Sequence, residues 1–143
     1  MIYRYVIPGP AVAQGRPRIT TANGYPRVYD PPKSSEYKKY VRACVMQQGR
    51  PKKLLTGALR VDTVEYRRIA ASLRKAQRVE AARGTIRPIA KPDMDNVEKA
   101  VWDALTGLVW KDDAQVAAEY TTKMYWDVPG IHVVVGTIEE AEV

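Results

Sequence analysis

The sequence predicts an α+β fold, a single small domain in which helices pack on a mixed β-sheet. Three observations carry that prediction. Apolar and polar residues alternate with period two in two segments near the carboxyl end and weakly once in the middle, and β-branched and aromatic residues cluster near the amino end. Between those segments apolar residues recur at three and four, the period of a helix with one buried face. The segments run strand, helix, strand, short basic helix, helix, strand, strand, an order that lays helices on one sheet. The 143 residues, 45% of them hydrophobic, are enough for one core and too few for two, so the domain is expected to span 1–143.

Ile2 to Ile7 is rich in β-branched and aromatic residues and stops at Pro8-Gly9-Pro10, the pattern of a strand closed by a turn. From Ala11 to Lys33 the prolines exclude regular helix and a central strand, leaving a long loop in which Arg16, Arg18 and Arg27 interleave with Tyr25 and Tyr29. Ser34-Ser35-Glu36 has the form of a serine N-cap with an early acid, and Gly49 and Pro51 close the helix it opens. Tyr37, Tyr40, Val41, Cys44 and Val45 form its buried stripe. Thr56 to Tyr66 alternates weakly and reads as a strand.

Arg67 to Arg87 holds seven Arg and Lys and one acid, Glu80, in an alanine-rich setting, which predicts a short basic helix ending at Gly84. Asp95 or Asn96 caps the next helix, which runs to about Thr106 with Val97, Ala100, Val101, Ala104, Leu105 and Leu108 on its apolar face. Gln115 to Trp126 and Ile131 to Ile138 alternate again. The turn residues Asp127-Val128-Pro129-Gly130 between them predict an antiparallel hairpin.

Charge is segregated along the chain. Residues 1–90 carry 19 Lys and Arg against 5 Asp and Glu, and residues 91–143 carry 4 against 11, for a net +7. A basic half suits a polyanion, nucleic acid above all, and an acidic segment beside it suits cations. Arg16, Arg18 and Arg27, with the cluster Arg74, Lys75 and Arg78, are the expected phosphate contacts. Cys44 is the single cysteine, which rules out an internal disulfide, and its pairing with the single histidine, His132, as nucleophile and base has little to support it. Met1 to Ile7 is too short and too polar for a secretory leader, and no apolar run reaches the length of a membrane span, so a cytoplasmic protein is expected.

The chemistry concentrates in Lys91 to Val116. Asp93 and Asp95 stand two apart, Lys99 follows Asp95 by one helical turn, Asp103 by two, and Asp112-Asp113 precede the next strand, from where a carboxylate can face the helix start. Mg²⁺ prefers hard oxygen ligands, few of them from the protein, with water and phosphate oxygens for the rest. Such an ion withdraws charge from a phosphodiester and makes water a better nucleophile. The spacing therefore points to a metal-dependent nuclease. A calcium loop is excluded, since Glu98 stands where that loop needs glycine. Taken singly, Asp95 as a cap, Lys99 and Asp103 as a surface pair and Asp112-Asp113 as turn residues are all ordinary. A basic DNA-binding module without catalysis, or a nuclease acting on flaps, forks or RNA, are the competing functions.

The run KPDMDNVEKAVWDALTGLVWKDDAQV resembles the signature of the RusA family of Holliday junction resolvases, and Gly15-Arg16-Pro17-Arg18 resembles the amino-terminal part of its phage-type members. The resemblance implies a small α+β two-fold homodimer, dependent on Mg²⁺ or on Mn²⁺ in its place. It implies paired symmetric nicks in four-way DNA junctions during recombination and repair. Carried over by position, the metal-binding aspartates are Asp93, Asp95 and Asp113 and the catalytically important lysine is Lys99; Asp112, beside Asp113 in the acidic cluster, is a further candidate ligand.

Overall fold

Ile2–Pro8 forms β1, and the chain then enters the proline-rich stretch. That stretch is not wholly irregular: Arg18–Thr20 (β2) and Arg27–Tyr29 (β3) pair antiparallel as a separate two-stranded ribbon. The prolines exclude these strands from the main sheet, as expected, yet leave two three-residue windows free to pair. Helix α1 spans Pro32–Gln48, β4 Leu59–Arg68, α2 Lys75–Arg83, α3 Met94–Leu105, β5 Val116–Trp126, β6 Gly130–Thr137 and the short α4 Ile138–Ala141. This computed structural model describes residues 1–141.

The sheet is mixed, in the order β1-β6-β4-β5. β6 runs antiparallel to both β1 and β4, whereas β4 and β5 are parallel. The parallel pair requires a long crossover, and α2 and α3 supply it. The expected β5–β6 hairpin does not form, because β4 lies between its two arms. The turn residues reverse the chain but do not choose its neighbour: one skipped strand is about 10 Å, and the three linking residues 127–129 reach that far. Burial gives the physical reason. β4 buries every second residue from Leu59 to Glu65 and β6 is buried along most of its length, while β5 is half-exposed throughout and belongs at an edge. Gly130 starts β6 where a Cβ would stand 2.9 Å from the Ile7 carbonyl oxygen, so only glycine lets β1 approach there.

Helices α1 and α3 cover one face of the sheet. Tyr5 and Ile7 of β1, Leu59 and Val61 of β4 and Ile131, Val133 and Val135 of β6 meet Val41 and Val45 of α1 and Val97, Ala100, Val101, Ala104 and Leu105 of α3 in one core. The α3 stripe is the one its periodicity predicts. Truncating a fully buried member such as Leu105 to alanine costs about 2–5 kcal/mol. Helix α2 packs against the other face, where Ala82 lies near Tyr66, Met124, Trp126 and His132. Cys44, buried in α1, and His132, exposed on the far side of β6, are therefore on opposite faces and form no pair.

Two helix starts differ from expectation. Helix α1 begins at Pro32, whose ring presets the first helical φ, and the buried Ser34 hydroxyl instead accepts the Gly15 N–H at 2.7 Å. Helix α3 begins at Met94, at least two residues earlier than expected, with Asp93 and not Asp95 or Asn96 at the cap position and its side chain not bonded to the helix. The Asp93 carboxylate instead meets the Lys91 ammonium.

Candidate active site

Two groups of acidic residues sit at opposite ends of α3. Asp93 and Asp95 lie at its start, which follows the cleft-lining segment Lys91-Pro92. The Asp93 side chain is 50% exposed, with the Lys91 ammonium 3.0 Å away. The Asp95 carboxylate accepts the Asn96 N–H at 2.9 Å and is open to water. Asp113 lies beyond the other end: its Oδ1 accepts the Trp110 indole N–H at 2.8 Å and the Thr106 hydroxyl at 2.7 Å. At 1.5 Å per residue α3 separates the two ends by roughly 16 Å. Asp113 thus faces the helix end and not the helix start. Among the described residues no group of three or more His, Cys, Asp or Glu side chains converges to hold an ion.

The remaining acids of the signature have local tasks. Asp112 accepts the Ala114 N–H at 2.9 Å and caps the 3₁₀ turn Asp113–Gln115. Asp103 pairs with Lys38 at 3.2 Å, and Lys38 also pairs with Asp30 at 2.7 Å. Burial works against the Lys38 charge, but the two carboxylate hydrogen bonds prevail and hold its pKa above the ordinary lysine value. Lys99 is exposed on α3, one turn after Asp95.

Asp93 opens onto a cleft of about 700 Å³ whose walls include Arg16, Arg18, Lys33, Lys91 and Asn96. The amino-terminal loop is tied to α3 there, because the Gln14 N–H donates to the Asn96 carbonyl at 2.9 Å. At Gly15 a Cβ would stand 2.8 Å from Ser34 Oγ and 2.9 Å from Pro31, so glycine lets the loop lie close on α1. Four cations therefore line the cavity that an aspartate enters. Lys33 is a member that charge spacing alone did not single out, since it looks like one more lysine at a helix start.

The other expected phosphate contacts lie elsewhere. Arg27 is on β3 of the exposed ribbon, beside the cleft-lining Arg18 strand. Arg74 and Lys75 are exposed at the start of α2, on the far face of the sheet. Arg78 is turned onto its own backbone, donating to the carbonyls of Ala71 and Leu73 at 3.1 Å each.

A carboxylate pair was not anticipated. Glu98 of α3 reaches β5, where it bonds the Thr121 hydroxyl and meets Glu119. Burial first, then hydrogen bonding to Glu119, pushes the Glu98 carboxyl up to about 7, with Thr121 opposing the shift and Asp95 adding to it. Only the helical spacing of Asp95 and Glu98 hinted at it, since contact with β5 depends on the strand order.

An aspartate at a helix start, opening onto a cleft lined by four cations and with a second carboxylate two residues on, makes a site that can draw a polyanion toward acidic groups. A family model described as Endodeoxyribonuclease RusA matches residues 8–136. The chain belongs to this family of endodeoxyribonucleases. It is also 40% identical over 134 residues to "Uncharacterized protein YqaN" of Bacillus subtilis (strain 168), a match covering 92% of this chain and 94% of that one. No helix of the described residues is long and apolar enough to cross a membrane.

Proposed function

We propose that this protein is a Mg²⁺-dependent endonuclease that resolves four-way DNA junctions by paired symmetric nicks. The observation that carries the reading is the opening of Asp93 onto the cleft lined by Arg16, Arg18, Lys33 and Lys91. A phosphodiester backbone entering along those cations would be led to the carboxylates. Membership in the endodeoxyribonuclease family supports the same chemistry.

Asp93 and Asp95 suit Mg²⁺, which is commonly held by one or two carboxylates, substrate phosphate and water. Bound there, the ion supplies a Lewis acid for the scissile phosphate. Arg16, Arg18 and Lys33 hold the flanking backbone, Lys91 balances Asp93, and Lys99 offers positive charge to the phosphoryl group one turn from Asp95. Water would attack phosphorus as the P–O3′ bond breaks, its proton passing to solvent and the 3′ oxygen leaving to become a hydroxyl, which yields 5′-phosphate and 3′-hydroxyl ends.

Asp113 enters this account through a second copy of the chain. It lies too far along α3 to join Asp93 within one protomer, but a two-fold axis that sets α3 antiparallel to its mate brings each Asp113 end to the other's Asp93 end. A dimer of that kind also presents two equivalent sites to the two equivalent strands of a junction.

The test is incubation with a labelled four-way junction, a flap and a linear duplex, with and without Mg²⁺. Cleavage of the junction alone, in Mg²⁺ alone, at symmetric positions is the expected result. Preferential cutting of the flap assigns the same chemistry to another branched DNA, and no cutting of any substrate leaves a DNA-binding module.

A further inference from the structure

Glu65 and Arg67 stand two apart on the core-facing side of β4, at the strand's end, where the segment leading to Asp93 passes over the sheet. The Glu65 side chain is 3% exposed and that of Arg67 16%. A buried carboxyl group is costly unless it is paired and hydrogen-bonded. Arg67 does both, with Nε and Nη2 donating to the two Glu65 oxygens at 2.6 and 3.1 Å.

The rest of the guanidinium turns to the loop. Nη1 donates to the carbonyls of Ala90 at 2.6 Å and Lys91 at 3.3 Å, and Nη2 donates to that of Pro92 at 2.6 Å. Arginine has five N–H donors, and all five have acceptors here. The three loop acceptors are consecutive and end immediately before Asp93. Lys123 of β5 adds a further donor to the Ala90 carbonyl, at 3.4 Å. Glu65 fixes the guanidinium, and the guanidinium fixes three successive peptide groups.

We infer that Glu65 and Arg67 are positioning residues for metal binding, acting by locking the backbone that presents Asp93 and Asp95. The inference rests on the proposed reading of those aspartates as metal ligands. Arg67 opens the basic segment that runs to Arg87, yet its donors are spent inside the protein. A lysine cannot replace it, because an ammonium has three donors and no planar fork. Partners that orient metal ligands are worth about 10–100-fold in metal affinity.

The experiment compares R67K and the charge-free double variant E65Q/R67Q with the parent. It measures Mn²⁺ affinity without DNA, amide exchange over residues 90–97, and junction affinity in EDTA. The double variant is included because R67Q alone would strand a buried carboxylate. Expected are cooperative melting, Mn²⁺ affinity weakened about tenfold or more, faster exchange confined to 90–97, and junction affinity within about twofold of the parent. Parent-like Mn²⁺ affinity in a folded double variant overturns the inference. So does failure of both variants to melt cooperatively, which makes the pair a determinant of folding and not of loop position. Should the parent prove not to cut junctions, the proposed function fails, while the Mn²⁺ and exchange measurements still decide this inference.

Discussion

The fully buried Trp110 donates its indole N–H to the Asp113 carboxylate at 2.8 Å, and so fixes that acid at the end of α3 farthest from Asp93. One oxygen of Asp113 is held by Trp110 and Thr106, which leaves the other for a second task. Stability and activity should therefore separate at this position. D113N keeps an oxygen acceptor and is expected to melt near the parent while losing cleavage. D113A strands the buried indole N–H and should lose about 1–3 kcal/mol as well. Chemical denaturation of both variants, alongside a junction assay, checks the pair, and equal stability of the two would remove Asp113 from the role of anchor.

Asp93 is half-exposed and caps α3 without a side-chain bond, so its substitution carries little structural cost. D93N is expected to abolish cleavage while junction binding in EDTA persists or tightens, since a negative charge leaves a basic cleft. K99A, altering an exposed helix position, should fold normally and cut more slowly. Gel-shift and cleavage assays on the same preparations read both effects. Near-parent cutting by D93N would exclude Asp93 from the site.

Salt dependence distinguishes the two basic surfaces. Each phosphate contact contributes a slope of about 0.9 in log affinity against log salt. R16A/R18A should flatten that slope by up to about 1.8, because both residues line the cleft that Asp93 enters. R74A/K75A should flatten it only if junction arms also reach the far face of the sheet. Arg78, bonded to its own backbone, is expected to contribute through the α2 start instead of through DNA. An unchanged slope in R16A/R18A would move DNA off the cleft.

Glu98 makes stability depend on pH. Its carboxyl is raised from the ordinary 4.5 to about 7, first by burial and then by the Glu119 hydrogen bond, with Asp95 adding repulsion. Between those values the folded protein binds more protons than the unfolded chain. The contribution is thus fully present below 4.5 and is lost as pH rises through about 7. In E98Q that loss should vanish, so its melting temperature relative to the parent rises between about pH 5 and pH 8. Parallel melting curves for parent and E98Q across that range would refute the assignment.

What the sequence revealed, and what it hid, follows from the range of each interaction. Helix α3 was legible because Val97, Ala100, Val101, Ala104 and Leu105 repeat at the helical period and all are buried. Strand β1 and the end of α2 at Gly84 were legible for equally local reasons. The place of β4 between β5 and β6 was not, because a turn sequence encodes reversal but not adjacency. Ser34 misled because Pro32 offers a stronger start signal, and the hydroxyl was needed to hold Gly15. The signature motif named Asp93, Asp95, Lys99 and Asp113, but not the separation set by Thr106 and Trp110. Glu65 and Arg67 were invisible as a brace, since charges two apart in a strand look like an exposed pair until Ala90, Lys91 and Pro92 arrive above them.

If a working site combines Asp93 and Asp95 of one protomer with Asp113 of another, then two inactive proteins must regain activity when paired. A heterodimer of D93N and D113N, isolated through different tags, holds one site in which both substitutions fall together and one site that is wholly intact. Each homodimer is expected to be inactive, and the heterodimer to nick one strand of a four-way junction in Mg²⁺. A heterodimer as inactive as its parents, under conditions where the unaltered protein cuts, would contradict it.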